Sequence, residues 1–179
     1  MVIIGITGTL GAGKGTVVDY LANKKSFCHY SVSGYLKEEL QKQNREIDRT
    51  NMQNIANEIR EKFGPDYITQ KLFAIAESKN ENAIIESIRN PKEAEFIKSN
   101  NGKLIAVVAN QKTRYKRIKE RQSEKDSVSF KEFQKQEERE MQSTQSFAQN
   151  LSKCIEMADF IVNNDGSLEN LYEQIEKII

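Results

Sequence analysis

The sequence lacks tryptophan and has one histidine, two cysteines and two prolines among its 179 residues. Two cysteines, Cys28 and Cys154, are too few for a disulfide framework and favour a reducing compartment. The sequence has no C-x-x-C pair. A zinc-bound insertion of the kind built on that motif is therefore excluded.

The sequence also lacks an excess of charge of either sign. The 27 Lys and Arg residues against 26 Asp and Glu residues give a formal net charge of +1. This balance predicts no general attraction to nucleic acid or to a membrane surface. No apolar run approaches the roughly 20 residues of a membrane span, and the first residues read directly as a strand. We therefore expect no signal peptide, no nucleic-acid or membrane partner, and a cytoplasmic location; the oligomeric state stays open.

Short apolar segments alternate along the chain with segments of helical pattern. This alternation predicts an α/β fold with a parallel sheet covered by helices on both faces. In such open sheets ligands bind at the carboxyl ends of the strands, which directs attention to the residues after each strand. The predicted strands are 2–7, 29–31, 83–86, 104–109 and 160–162, and the predicted helices are 14–23, 34–43, 52–62, 67–78, 91–99, 112–120, 131–141, 151–157 and 168–179.

A glycine-rich segment, G-x-x-G-x-G-K-G-T, follows the first predicted strand and precedes the first predicted helix. This arrangement is typical of a P-loop, whose backbone N–H groups and helix start surround a phosphate. Lys14 would reach the β- and γ-phosphates of ATP, and Thr16 is a candidate magnesium ligand although Gly15 precedes it. The candidate ATP-binding residues of this segment are Gly8, Gly11, Ala12, Gly13, Lys14, Gly15 and Thr16.

Charged residues follow the third and fourth predicted strands. Glu86 ends the third strand beside the P-loop, where a carboxylate can hold magnesium through water. Arg114, Arg117 and Arg121 share one face of the helix after the fourth strand. That face is either a solvated basic surface or part of a lid whose arginines neutralise the transferred phosphoryl group.

These features together resemble the nucleoside monophosphate kinases. The form of the P-loop carries the resemblance, with Lys37 at the arginine position of the S-T-G-D-M-L-R segment and Arg89 at the arginine of the D-G-x-x-R pattern. The chain also resembles small P-loop kinases labelled dephospho-CoA-kinase-like, including the kinase-like domain of deoxycytidylate deaminase fusions. The motifs run from Gly8 to Glu169 and include I-R-N-P-x-E and A-D-F-I-V-N-N-D-G-S-L-E.

The resemblance implies a single P-loop kinase domain over 1–179 with strand order 2-3-1-4-5. Acceptor-binding helices would cover about 34–80 and a short lid about 114–141. Lys37 and Arg89 would hold the acceptor phosphate, Arg60 is a further acceptor-binding candidate, and Asn163 would lie against the adenine of the donor. A solvated surface position remains the alternative for Lys37 and for Arg60. We expect Lys14, Arg89, Arg117 and Arg121 to act in catalysis, with Arg139 as a possible further lid arginine.

The sequence therefore predicts a kinase that uses ATP and Mg²⁺ to phosphorylate a nucleoside or deoxynucleoside monophosphate. Two alternatives stay open: a regulatory nucleotide-binding module with little turnover, and a kinase of another small molecule such as a dephospho-CoA-like acceptor. We expect a structural role for His29, because phosphoryl transfer needs little base chemistry.

Overall fold

The computed structural model describes residues 1–120, 129–142 and 148–179, apart from the side chain at position 49. Strands and helices alternate along these ranges. The strands are β1 (Ile3–Thr7), β2 (Cys28–Ser31), β3 (Ala83–Glu86), β4 (Lys103–Val108) and β5 (Phe160–Asn163). The helices are α1 (Lys14–Lys25), α2 (Val32–Lys42), α3 (Arg49–Phe63), α4 (Tyr67–Lys79), α5 (Pro91–Ser99), α6 (Gln111–Glu120), α7 (Phe130–Met141), α8 (Leu151–Glu156) and α9 (Leu168–Glu176).

The five strands form one parallel sheet in the order β2-β3-β1-β4-β5. The predicted α/β fold and strand order are thus confirmed. Predicted elements match observed ones within three residues at each end. Helix α3 shows the largest difference at its start, because the side chain of Asp48 accepts a hydrogen bond from the backbone N–H of Asn51 and caps the helix earlier than expected.

Successive side chains of each strand point to opposite faces of the sheet, and both faces are buried. Ile4 and Ile6 of β1 pack with residues of α1 and α9 on one face. Ile3 and its neighbours in β3 and β4 pack with α2, α3, α4, α5 and α8 on the other. All strands run in one direction, so their carboxyl ends lie along a single edge. Within the described residues no helix is both long and apolar enough to cross a membrane.

Candidate active site

The P-loop follows β1 at the carboxyl edge of the sheet, and three of its glycines have positive φ. Gly8, Gly11 and Gly13 have φ values of 134°, 77° and 95°. A Cβ at Gly8 would lie 2.1 Å from the carbonyl oxygen of Val107, which excludes any larger residue there. At Gly15, by contrast, a Cβ would meet nothing within 4 Å. The loop is therefore shaped by close backbone contacts, while the first turn of α1 is open.

Lys14 lies at the start of α1 with its side chain folded over the loop. Its Nζ donates hydrogen bonds to the carbonyl oxygens of Gly8 at 2.8 Å and Thr9 at 3.0 Å. The N-cap of α1 is Gly13, which has no side chain to satisfy the N–H groups of the first turn. A helix start without a capping side chain, beside a lysine, is typical of an anion-binding site.

Glu86 ends β3 and receives a hydrogen bond from a neighbouring strand. The Nε2 of His29 lies 3.1 Å from its Oε2. This hydrogen bond, together with the positive charges of Lys14 and Arg89, holds the pKa of Glu86 below its usual value, although burial of the carboxyl acts in the opposite direction. Glu86 is thus an ionised carboxylate between the P-loop lysine and Arg89. The sequence did not indicate its contact with His29.

The loop after β3 is held in a constrained conformation. Ser87 has φ 75°, an uncommon value for a residue other than glycine. Its N–H and that of Ile88 both donate to the carbonyl oxygen of Ile6. The carboxylate of Glu93 accepts hydrogen bonds from the backbone N–H groups of Arg89 at 2.8 Å and Asn90 at 2.9 Å. This loop therefore presents the Arg89 side chain from a rigid base.

A cavity of about 310 Å³ lies next to the P-loop. Three of the predicted site residues, Lys37, Arg60 and Arg89, come together in its lining, whereas Arg117 and Asn163 do not. Its wall combines these cations with apolar side chains from the P-loop, α2 and α3 and with polar side chains from α2, α3, α7 and the loops after β3 and before α8. The lining consists of Leu10, Val32, Ser33, Leu36, Lys37, Met52, Gln53, Ala56, Arg60, Ser87, Arg89, Glu140 and Gln149.

Arg60 is buried near the C-terminal end of α3, with 2% of its side chain exposed. Its Nη2 donates to Oε1 of Glu93, itself completely buried, across a long 3.4 Å. The Nε and Nη1 groups of Arg60 are buried without a hydrogen-bond partner. Arg60 is thus not a solvated surface residue, and two of its nitrogen atoms are buried without a hydrogen-bond partner in a side chain that lines the cavity.

Arg89 contacts two side chains that the sequence analysis did not single out. Its Nη1 lies 3.1 Å from a carboxylate oxygen of Glu140 and 3.2 Å from Oε1 of Gln149. Its carbonyl oxygen accepts a hydrogen bond from the N–H of Asn150. The loop after β3 is therefore connected both to α7 and to the segment before α8.

Arg114 does not belong to a solvated basic face and does not point to the cavity. It is buried, ion-paired with Glu137 of α7, and donates to the carbonyl oxygens of Ala109 and Leu10 at 2.9 Å and 3.2 Å. The side chain also lies over the ring of Phe133, 5.6 Å from its centroid. Helical spacing placed Arg114 on a common face with Arg117, but burial against α7 makes its role structural. It attaches α6 to α7 and to the P-loop.

Two further lid candidates, Arg117 and Arg139, lie on different helices, α6 and α7. Arg117 donates from Nη2 to the carbonyl oxygen of Asn164 at 2.8 Å, and its Nη1 is buried without a hydrogen-bond partner. Arg139 is exposed on α7. Arg121 lies outside the described residues. Of the predicted lid arginines that the structure describes, Arg114 thus contacts the P-loop through Leu10, and Arg117 contacts the loop after β5 through Asn164.

Asn164, rather than Asn163, contacts the P-loop. Its Nδ2 donates to the carbonyl oxygen of Ala12 at 2.8 Å, and the residue is buried. The exposed Asn163 is occupied by its own turn, where its Oδ1 accepts from the N–H of Asp165 and its backbone pairs with Gln174. The loop after β5 therefore contacts the P-loop through Asn164, and the contact of Asn163 with adenine stays a prediction.

Solved structures with the same architecture include kinases. A shikimate kinase from Bacteroides thetaiotaomicron matches with TM-score 0.62 at 15% identity, covering 99% of this chain and 96% of that one. TT1252 from Thermus thermophilus matches with TM-score 0.61 at 18% identity, covering 99% and 95%. A sugar kinase from Janibacter sp. HTCC2649 matches with TM-score 0.57 at 8% identity, covering 99% and 93%. The fold is therefore that of the P-loop kinases.

Sequence comparison places the chain in a family. The family model described as an AAA domain matches residues 4–145. A UPF0200 protein of Methanothermobacter thermautotrophicus is 31% identical over 182 residues, covering all of this chain and 90% of the relative. One of Methanocaldococcus jannaschii is 31% identical over 183 residues, covering all of this chain and 89% of the relative. The chain belongs to the AAA domain family and, more narrowly, to the UPF0200 proteins.

Proposed function

We propose that the protein is a kinase that transfers the γ-phosphate of ATP to a nucleoside or deoxynucleoside monophosphate. The observation that carries the proposal is the convergence of Lys37, Arg60 and Arg89 on one cavity that begins at Leu10 of the P-loop. Arginine and lysine side chains that meet in a partly buried cavity bind phosphate through charge-assisted hydrogen bonds. An acceptor that carries a phosphate would satisfy these cations next to the donor site.

The apolar part of the same cavity suits the other end of a nucleotide. Leu36, Met52 and Ala56 line it, and Gln53 adds an amide that can both donate and accept hydrogen bonds. Ligand sites commonly combine such apolar walls with a few polar groups that fix orientation. The base of a monophosphate would pack on the apolar wall while its phosphate lies against the cations. The amide does not select among the bases.

The residues of the P-loop fit ATP and magnesium. Lys14 and the N–H groups at the start of α1 would hold the phosphates, Arg117 would act as a lid arginine, and Thr16 and Glu86 are the candidate metal ligands. Among the described residues no group of three or more His, Cys, Asp or Glu side chains could hold a metal ion. A metal would thus take most of its ligands from phosphate and water, as Mg²⁺ does. Magnesium would supply charge neutralisation on the transferred group.

A phosphate acceptor suits this reaction because its attacking oxygen needs no general base. In the proposed reaction an oxygen of the acceptor phosphate forms a bond to the γ-phosphorus, while the bond from that phosphorus to the β–γ bridging oxygen breaks and ADP leaves. The attacking oxygen is already anionic, so no residue has to remove its proton.

The test is the release of ADP from Mg-ATP with a panel of nucleoside and deoxynucleoside monophosphates and dephospho-CoA. We expect strong stimulation by one monophosphate, lost in Lys14→Ala and retained in Lys25→Ala, which removes a lysine at the far end of α1. Arg89→Ala should lose most of the stimulation. Nucleotide binding without stimulation by any monophosphate would overturn the proposal.

A further inference from the structure

We propose that His29 is a positioning residue that holds the Glu86 carboxylate in place for the metal ion of the reaction. This inference rests on the proposed function, because it assumes that Glu86 serves the metal. The one histidine of the sequence would then have a defined place in the site. Its contact with Glu86 comes from a neighbouring strand and not from the P-loop itself.

The sheet register explains why the two side chains meet. His29 of β2 pairs with Ile84 of β3, and Ser31 pairs with Glu86. His29 and Glu86 are therefore diagonal neighbours on the same face as Ile84, the face covered by α1. The P-loop leads into α1 at this face, so the pair lies beside the start of the helix that carries Lys14.

The chemistry of the pair sets the direction of the hydrogen bond. An ionised carboxylate can only accept, so Nε2 of His29 carries the hydrogen and donates to Oε2 of Glu86 across 3.1 Å. The His29 side chain is 37% exposed and that of Glu86 is 18% exposed. The contact is therefore accessible to solvent on one side but is directed at a carboxylate that is mostly buried.

The Glu86 carboxylate lies within electrostatic range of Lys14 and Arg89, while His29 supplies a hydrogen bond to it. A glutamate has one more rotatable bond than an aspartate and thus more conformational freedom. The hydrogen bond from His29 restrains that freedom. Partners that orient metal-binding carboxylates typically change metal affinity about 10–100-fold when they are removed.

The experiment measures Mg²⁺ binding to the protein–ADP complex by calorimetry, which does not depend on turnover. His29→Leu removes the donor and should weaken Mg²⁺ binding about tenfold, with ADP binding in the absence of metal unchanged. His29→Gln keeps an N–H donor and should restore most of the affinity. Tyr30→Phe is the matched control, because Tyr30 is adjacent on β2 but points away from Glu86 and bonds to Glu81.

The outcomes separate the inference from the proposed function. If Glu86→Ala weakens Mg²⁺ binding but His29→Leu does not, the positioning role is overturned and the metal role of Glu86 stands. If His29→Gln is as weak as His29→Leu, a specific need for imidazole, such as direct metal ligation, replaces positioning. If Glu86→Ala leaves Mg²⁺ binding unchanged, the metal role fails, and the positioning role fails with it, whatever the acceptor assay shows.

Discussion

The carboxylate of Glu140 lies 3.1 Å from the guanidinium of Arg89, at the wall of the cavity that both residues line. Glu140 belongs to α7, and Arg89 to the rigid loop after β3. In the proposed function, the phosphate of an acceptor would have to compete with this carboxylate for Arg89.

Replacing Glu140 by glutamine should therefore lower KM for the phosphate acceptor. The side chains of Arg89 and Glu140 are 23% and 15% exposed, so solvent screens the pair in part. We therefore expect acceptor binding to improve by about 1 kcal/mol, which corresponds to a roughly fivefold lower KM. Acceptor-dependent ADP release at saturating ATP measures it. Glu138→Gln, an exposed change on the same helix, should leave KM unchanged. A higher KM in Glu140→Gln would mean that Glu140 itself binds the acceptor.

Glu93 should contribute strongly to the stability of the fold, and it also holds the loop that carries Arg89. Its buried carboxylate accepts from the backbone of Arg89 and Asn90 and pairs with Arg60. Glu93→Ala would leave the Arg60 charge buried without a counterion and should cost about 3–5 kcal/mol of unfolding free energy. Urea unfolding measures this loss. Glu95→Ala, on the same helix but in a surface pair with Lys92, should change the unfolding free energy by less than about 0.5 kcal/mol, and equal losses in both variants would contradict the assignment.

Replacing either of two P-loop glycines by alanine should affect the stability of the protein in opposite ways. At Gly8 the new Cβ would lie 2.1 Å from the carbonyl oxygen of Val107, and φ is 134°. Gly8→Ala should therefore cost about 3 kcal/mol or more, from backbone strain and displacement of β4. At Gly15 the space is open, and alanine favours helix over glycine. Gly15→Ala should keep or raise the thermal midpoint, and a loss as large as that of Gly8→Ala would contradict the packing described here.

The parts of the fold that could be predicted are those with local causes. Strands β1, β3 and β4 are short apolar runs because both of their faces are buried. Pro91 at the first position of α5 marks the start of that helix in the sequence. The capping pair of Asn90 and Glu93, three residues apart, was also visible there as N-P-x-E. Glu93 also accepts a hydrogen bond from the backbone N–H of Arg89. That contact depends on the three-dimensional fold of the loop after β3, which the sequence pattern does not indicate.

The parts of the site that could not be predicted depend on contacts between distant segments. Glu140 reaches Arg89 only because α7 docks at the carboxyl edge of the sheet, and no local pattern identifies that docking. Arg114 shows a similar limit. Its helical spacing predicts which residues share its face, but only the packing of Phe133 and Glu137 against it shows that this face is buried. Sequence patterns predict which side chains share a face and leave open what that face meets.

Asn164 connects the loop after β5 to the P-loop and should matter more for nucleotide binding than Asn163. The Asn164 side chain donates to the carbonyl oxygen of Ala12 and lies where a Cβ at Gly13 would have to go, 2.0 Å from Nδ2. Asn164→Ala would leave that carbonyl without its partner and loosen the loop, at a cost of about 1–3 kcal/mol. We expect ADP affinity, measured by calorimetry, to fall about tenfold, and to fall less in Asn163→Ala, because Asn163 bonds within its own turn. The reverse order would show that the side chain of Asn163 contacts the nucleotide and that the link from Asn164 to the P-loop is dispensable.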